Sequence, residues 1–183
     1  MMANQKKEPS ISQVIQKRRA SVIIANSYRS LFFQVLGLAL VLYILFGHVF
    51  LLTQVTGNEM FPALEDGDVI LAYRLHERYM KNDVIVYEHE GKLVTGRVLG
   101  RDGDVINMDD SGALQVNGTN QGGEIMYPTY AKEGITYPYV VPDGCLFIID
   151  DYRTQCEDSR DFGPISDSDV VGKVITLLRR RGI

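Results

Sequence analysis

The sequence contains only two cysteines and three histidines. Zinc sites place such residues in closely spaced pairs. Neither the cysteines, Cys145 and Cys156, nor the histidines, His48, His76 and His89, show that spacing. No internal repeat or low-complexity tract is present either. We therefore predict neither a metal site nor a cofactor.

Charged residues are missing from one long stretch, Leu31 to Leu52. About 20 apolar residues are enough for a helix to cross the roughly 30 Å hydrocarbon core of a bilayer, so we predict a transmembrane helix over residues 31–52. A cleaved secretory signal is the alternative, but its apolar region would be shorter and would end in small residues. Residues 51–55 offer no such cleavage site, and we expect a retained membrane anchor.

Positive charge is concentrated before this stretch. Residues 1–30 hold six basic groups and one acidic group, which leaves 13 of the 19 basic and 22 of the 23 acidic groups to residues 31–183. Because basic residues favour the cytoplasmic side of a membrane, residues 1–30 are predicted to be a cytoplasmic segment and residues 53–183 an extracellular domain. The acidic domain argues against nucleic acid as a partner.

Both cysteines fall in the predicted extracellular part, where disulfides can persist. A bridge between Cys145 and Cys156 would close a short loop and could stabilise the fold by roughly 3 kcal/mol through the unfolded state. Two unpaired thiols are the alternative. We favour the bridge.

Beyond Thr53 the pattern changes from helical to strand-like. Short runs rich in β-branched and aromatic residues are separated by turns such as Asp102-Gly103 and Asn117-Gly118. The predicted strand runs are 69–73, 83–87, 92–95, 97–99, 104–108, 113–116, 145–149 and 170–175. They indicate a mainly β fold, an antiparallel sheet or barrel, whereas residues 119–139 are predicted to be loop.

The run Gly57 to Asp68 reads Gly-Asn-Glu-Met-Phe-Pro-Ala-Leu-Glu-Asp-Gly-Asp. It resembles the Ser-Met-x-Pro-Thr-Leu box, followed by Gly-Asp, of type I signal peptidases. Further boxes match that family in order over about residues 30–178. They are Asn82–Tyr87, Gly96–Asp104, Leu114–Gly118, Val141–Gly144, Asp150–Arg160 and Val171–Lys173. The resemblance implies a signal-peptidase-type β domain behind one N-terminal transmembrane helix.

The departures from the family concern its catalytic pair. In the family a serine hydroxyl attacks the peptide carbonyl and a neutral lysine takes its proton. This sequence has Glu59 at the serine position and Gly96 at the lysine position. The resemblance therefore implies that the chain is not an enzyme, because glutamate is a poor amide nucleophile and glycine supplies no base.

The family's substrate cleft is expected to remain. In the family this cleft accepts an extended segment as an added strand, which supplies affinity without chemistry. We predict that the cleft is lined by the following residues: Glu59, Met60, Phe61, Pro62, Leu64, Gly96 and Asp158. Glu59 itself either binds a lysine or amide group at the cleft floor or fills a site without function.

Signal-peptidase-like proteins without the serine and lysine occur with sortase-assembled pili of Gram-positive bacteria, and this sequence resembles that SipA-type group. The resemblance implies an accessory or chaperone factor in pilus assembly, with pilin subunits or the pilus sortase as partners and self-association also open. One alternative is a peptidase in which Glu59 and an aspartate, Asp150, Asp151 or Asp158, activate water. The other is a regulator of an active signal peptidase.

Overall fold

A computed structural model describes residues 11–76, 78–109, 111–121, 127–154 and 156–179. The chain divides into two units, Met1–Ile44 and Leu45–Ile183. The first unit contains helix α1, Ile11–Ile44. Within the described residues, one helical stretch, Val22–Val49, is long and apolar enough to cross a membrane. The chain thus carries a single candidate membrane span in the part that the structure describes.

The second unit begins with a π-helical turn, Leu45–Val49. Its strands are β1 (Phe50–Gln54), β2 (Val69–Tyr73), β3 (Val84–His89), β4 (Lys92–Arg101), β5 (Val105–Met108), β6 (Leu114–Val116), β7 (Thr119–Asn120), β8 (Tyr139–Val140), β9 (Cys145–Ile149), β10 (Ile165–Ser166) and β11 (Val170–Leu178). The short helix α2, Ser159–Phe162, and a 3₁₀ turn, Asp167–Asp169, complete the described elements.

The strands form two antiparallel sheets. The larger has the order β1-β2-β11-β3-β4-β9-β10, and the smaller has the order β7-β6-β5-β8. The prediction of a mainly β, antiparallel domain is therefore confirmed. Strand β4 is central to the larger sheet, because it pairs with β3 through residues 92–97 and with β9 from Arg97 onward.

Apolar residues of the larger sheet are buried on both of its faces. Along β9, Leu146 and Ile148 belong to one cluster of buried residues, whereas Phe147 and Ile149 belong to another. Because side chains alternate across a strand, this division places β9 between two cores. The second core is shared with β5 and β6 of the smaller sheet.

The boundary predicted for the membrane helix is wrong at its C-terminal end. The α-helix ends at Ile44, and Phe50–Leu52, which were assigned to the membrane, belong to strand β1. Phe50 lies opposite Tyr73 of β2, and their ring centroids are 5.8 Å apart. An apolar run does not by itself distinguish a helix from a strand, so the domain boundary at residue 53 was placed too late.

Three strands of two residues each were also missed. Strand β7 lies within the stretch 119–139 that was predicted to be loop, β8 begins at the last residue of that stretch, and the third is β10. A segment of two residues is too short to show the alternation of apolar and polar residues by which a strand is predicted. Residues 122–126 of the stretch lie outside the described part of the chain.

Candidate functional site

The loop between β1 and β2 is anchored by two apolar side chains. Met60 and Leu64 are 1% and 3% exposed and pack with Val55, Ile70 and Val86 in a buried cluster. They therefore belong to the core and are not among the residues that line the cleft described below, in contrast to the prediction. Motif matching cannot show which loop residues face the core. Phe61 and Pro62 lie between them on the exposed side of the loop.

Glu59 lies at the exposed side of the same loop. Its two carboxylate oxygens lie beside Gly57, which has a φ of +88°. A Cβ at position 57 would collide with both oxygens. The Glu59 backbone is held from the other side, because its carbonyl accepts a hydrogen bond from the Tyr152 amide at 2.8 Å. The Cys156 thiol also lies 3.7 Å from that carbonyl oxygen. The position of Glu59 is thus fixed by three neighbours.

Gly96 lies buried in β4. A Cβ added there would collide with the Cγ2 methyl of Ile148 and would lie 3.3 Å from both Asp150 Oδ1 and Tyr87 Cε1. Side chains from β3, from β9 and from the residue that follows β9 thus occupy the surroundings of the position where the family has its lysine. A lysine at position 96 could be accommodated only if the Ile148 side chain moved.

Two of the three nearby aspartates are paired with arginine. Asp151 accepts from Arg97 at 2.7 and 2.6 Å. Asp158, fully buried, accepts from Arg160 Nε and NH2 at 2.8 Å each and caps helix α2. Asp158 is not among the residues that line the cleft described below, so its predicted contact role is corrected to a structural one.

Asp150, by contrast, is 2% exposed and its Oδ1 has no hydrogen-bond partner among the described residues. Burial raises the pKa of Asp150 to about 8, and the carboxylates of Asp158, Glu59 and Asp151 act in the same direction. Asp150 is therefore mostly uncharged at neutral pH. An unpaired buried oxygen destabilises a fold by roughly 1–3 kcal/mol, so an external partner for Asp150 would stabilise the domain.

Other groups around Asp150 are also held in their neutral forms. Burial, followed by the charges of Asp150 and Glu59, raises the pKa of the Cys156 thiol to about 12. Burial likewise raises the pKa of Tyr87. A thiol with so high a pKa supplies little thiolate, so Cys156 lacks the electrostatic support that a nucleophilic cysteine needs.

These groups surround an open cleft of about 650 Å³. Its walls come from β1 and the loop that follows it, from β3, from the first half of β4 and from the segment after β9. The residues lining it are Thr53, Gln54, Val55, Thr56, Glu59, Val86, Tyr87, His89, Glu90, Lys92, Leu93, Val94, Thr95, Asp150, Cys156 and Glu157. Of the predicted cleft residues, Glu59 lines it directly, and Gly96 is buried next to its floor residues Asp150 and Tyr87.

Asp150 was predicted only as one of three possible partners of Glu59 in the carboxylate-peptidase alternative, and not as a residue of the binding cleft. The available signal was its replacement of a glycine in the family's Gly-Asp-Asn stretch, just as Gly96 replaces the lysine. In the sheet the register Arg97↔Ile149 and Val98↔Ile148 brings these two changed positions next to each other. Only the strand pairing shows that the two departures from the family concern the same space.

The predicted disulfide is wrong, because both cysteines are free. Cys145 begins β9, whereas Cys156 lies beside Glu59 and Asp150, beyond the other end of that strand. A strand rises about 3.3 Å per residue, so the five residues of β9 hold the two cysteines farther apart than a disulfide can span. Among the described residues there is also no group of three potential metal ligands.

Comparison with known proteins identifies a consistent set of relatives. The family model for signal peptidase, peptidase S26, matches residues 27–178. Signal peptidase I V of Bacillus subtilis is 27% identical over 142 residues, which cover 69% of this chain and 84% of that protein. Signal peptidase I of Bacillus caldolyticus is 31% identical over 136 residues, or 66% of this chain and 74% of that protein.

A mitochondrial protein is also similar to this chain. The mitochondrial ATP-independent inner membrane protease subunit 1b of Arabidopsis thaliana is 31% identical over 126 residues, covering 65% of this chain and 64% of that protein. A crystal structure of a signal peptidase I from Enterococcus faecalis superposes with a TM-score of 0.44 at 24% identity, over 55% of this chain and 98% of that one.

Proposed function

The chain belongs to the signal peptidase family, peptidase S26, and from that premise we propose that it is a member that binds an extended polypeptide without cleaving it. It would act as a membrane-anchored accessory factor in sortase-dependent pilus assembly, with the β domain on the extracellular side. Pilin subunits and the pilus sortase are the proposed partners, on the resemblance to the SipA-type group.

The observation that carries the proposal is the presence of Glu59 at the family's serine position together with Gly96 at its lysine position. Glu59 offers a carboxylate where the family has a nucleophilic hydroxyl, and the surroundings of Gly96 offer no amine. The Ile148 methyl and the Asp150 carboxyl stand beside Gly96 instead. Loss of a nucleophile or its base removes most of a hydrolase's rate advantage, on the order of 10⁶-fold in the strongest cases.

The edge of strand β4 supports the binding part of the proposal. Residues 92–96 pair with β3 on one side, whereas the described pairing with β9 on the other side begins at Arg97. Residues 92–95 also line the cleft. Backbone groups at such an edge can form a ladder with an incoming extended segment. Binding through this edge requires neither Ser nor Lys.

A second candidate function rests on Asp150. The protonated acid of Asp150 and the carboxylate of Glu59 line one cleft and influence each other electrostatically, and a proton-sharing carboxylate pair can activate water. This reading gives a peptidase with unorthodox chemistry. Asp151 and Asp158 are held by Arg97 and Arg160, which leaves Asp150 as the partner for Glu59. A regulator that associates with an active signal peptidase is the remaining alternative.

The deciding experiment uses a pilus-forming host that lacks its own copy of this protein. Wild type, Glu59→Ala and a control, Glu88→Ala, are expressed as full chains. Glu88 is an exposed carboxylate on β3 that does not line the cleft. Precursor cleavage and covalent pilus polymers are scored on immunoblots. We expect polymers without new cleavage for wild type and the control, and fewer polymers for Glu59→Ala.

Other outcomes are equally informative. Cleavage by wild type that disappears in Glu59→Ala but not in Glu88→Ala would replace the proposal by the carboxylate peptidase. Normal polymers in the complete absence of the protein would refute a role in pilus assembly. Cleavage by the host's active signal peptidase that changes when this chain is supplied would favour the regulator.

A further inference from the structure

The floor of the cleft contains a buried acid that lacks a partner within the described chain. Asp150 is 2% exposed, lines the cleft, and its Oδ1 accepts no hydrogen bond from a described residue. That oxygen lies 3.3 Å from where a Cβ on Gly96 would stand. It therefore lies beside Gly96, next to the Ile148 methyl that fills the space where a Cβ on Gly96 would stand.

Three cations near the cleft are already bonded to other acids. Arg97 binds Asp151, Arg160 binds Asp158, and Lys132 donates to Asp161 and to the Cys156 carbonyl. Among the described residues that line the cleft, Glu59, Glu90, Asp150 and Glu157 are acidic, against Lys92 and His89. The cleft thus presents an excess of acidic groups.

We propose that this cleft binds a lysine side chain of a partner polypeptide, with its ammonium group seated between Asp150 and Glu59. The inference rests on the proposed function, because the lysine is carried on the extended segment that adds to the edge of β4. It specifies the chemistry that the partner must present. The ammonium takes the role of the missing partner of Asp150, which releases its proton to solvent when the ammonium binds. The exposed carboxylate of Glu59 is the second acidic group at this position.

The shape of the floor favours lysine over arginine. Tyr87 Cε1 and the Ile148 methyl lie, like the Asp150 oxygen, within 4 Å of the position that a Cβ on Gly96 would take, so the surroundings of that oxygen are crowded and apolar. A lysine can lay its methylene stem along such apolar groups and deliver a compact ammonium group at its end. A planar guanidinium needs a wider opening for its fork of donors.

The test measures binding of fluorescent peptides to the full chain in detergent micelles by anisotropy. The probes are pools of extended peptides of about ten residues, roughly the length of a long strand, with randomised flanks and a fixed central residue. That residue is lysine, norleucine or arginine. The proteins are wild type, Asp150→Asn, and Glu88→Gln as a charge-matched control outside the cleft.

Lysine peptides should bind wild type and Glu88→Gln at least about tenfold more tightly than norleucine peptides, the ratio that one well-placed charge pair supplies. In Asp150→Asn the ratio should fall to about one. Glu59→Gln, at an exposed position, serves as a second variant and should lower the ratio without depending on changes in the core.

Equal binding of lysine and norleucine peptides would overturn the inference and leave strand binding intact. A lysine preference that survives in folded Asp150→Asn, or equal binding of arginine peptides, would also overturn it. Binding of no peptide pool would refute the cleft-binding function together with this inference. The two proposals therefore fail in distinguishable ways.

Discussion

The Cγ2 methyl of Ile148 occupies the space that a Cβ on Gly96 would need. The backbone of Gly96 is one that any residue can adopt, because no positive φ is recorded there. The obstacle to a larger residue is therefore steric. Gly96 and Ile148 are diagonal neighbours on adjacent strands, since Ile148 lies opposite Val98 in the register. Each restricts the size of the side chain at the other position.

This relationship predicts a non-additive pair of substitutions. Gly96→Ala alone should destabilise the domain by about 1–3 kcal/mol through overpacking, and Ile148→Ala alone by about 2–5 kcal/mol through the cavity that it leaves. The double variant should be more stable than the sum of the two losses by about 1 kcal/mol or more. Urea unfolding of the full chain in detergent, followed by circular dichroism, measures all three.

Ile148→Val is the matched control for this cycle, because valine keeps both γ carbons and removes only the terminal methyl. The double variant Gly96→Ala with Ile148→Val should be no more stable than the sum of the two single losses predicts. Additivity in the alanine cycle would mean that the two side chains do not compete for space. Reconstruction of a serine and lysine pair at positions 59 and 96 should likewise require Ile148→Ala for folding.

A second prediction concerns the pH dependence of stability. In the unfolded chain Asp150 ionises near pH 4, whereas in the folded chain burial raises its pKa to about 8. Between these values the folded state binds more protons, so this group lowers stability as pH rises, by up to about 1.4 kcal/mol per pH unit. The carboxylates of Asp158, Glu59 and Asp151 add to this increase in the pKa of Asp150, whereas Arg160 opposes it.

Asp150→Asn should remove that contribution. Unfolding free energies measured from pH 5 to pH 8 should fall less steeply with pH for the variant than for wild type. Glu88→Gln, which replaces an exposed carboxylate, should keep the wild-type slope. Parallel slopes for wild type and Asp150→Asn would show that Asp150 is ionised throughout this range.

Arg179, which follows β11, binds two carboxylates of the loop between β1 and β2. Asp68, 4% exposed, accepts from Arg179 NH2 at 2.8 Å, and Arg179 also donates to the Ala63 carbonyl. Glu65 binds the same guanidinium at 3.1 Å, but 45% of its side chain is exposed. Because water weakens exposed ion pairs, Asp68→Asn should destabilise the loop much more than Glu65→Gln.

Hydrogen exchange of peptides covering residues 57–68 measures this difference at pH 7. The hydrogen bond from Arg179 lowers the pKa of Asp68, so the stabilisation is present above about pH 4 and is lost as pH falls through the folded-state pKa. The gap in unfolding midpoint between wild type and Asp68→Asn should therefore narrow at pH 3. A constant gap would point to packing and not to charge.

The free cysteines lead to a simple chemical prediction. Protein unfolded in urea without a reducing agent should take up an alkylating reagent on both Cys145 and Cys156, as mass spectrometry can establish. In the folded protein at pH 8, Cys156 should react extremely slowly, because a pKa of about 12 leaves roughly one thiolate in 10⁴ molecules. Alkylation only after reduction would demonstrate the disulfide that the structure lacks.

Much of the sheet could be predicted from local patterns. Strands such as β3 and β9 combine β-branched residues with flanking turns, and both were found at nearly their observed bounds. Strand β1 was not, because Phe50–Gln54 follows a long apolar run and only its pairing with β2 distinguishes it. Pairing depends on residues far away in the sequence, which a local pattern does not contain.

The site shows the same division between local and distant information. Matching the motif residue by residue located Glu59 and Gly96, since both lie within recognisable boxes. The direction of each side chain could not be obtained in this way, and Met60 and Leu64 point into the core. Nor could the role of Asp150, whose meaning depends on the register between β4 and β9.

Strand β11 lies between β2 and β3 in the larger sheet, although about 80 residues separate it from β3 along the chain. Strands β2 and β3 each lack one of their two neighbouring strands until residues 170–178 are available. Long-range pairing of this kind is slow to form. The strands that line the cleft, β1, β3 and β4, are therefore joined into one sheet only once β11 is available.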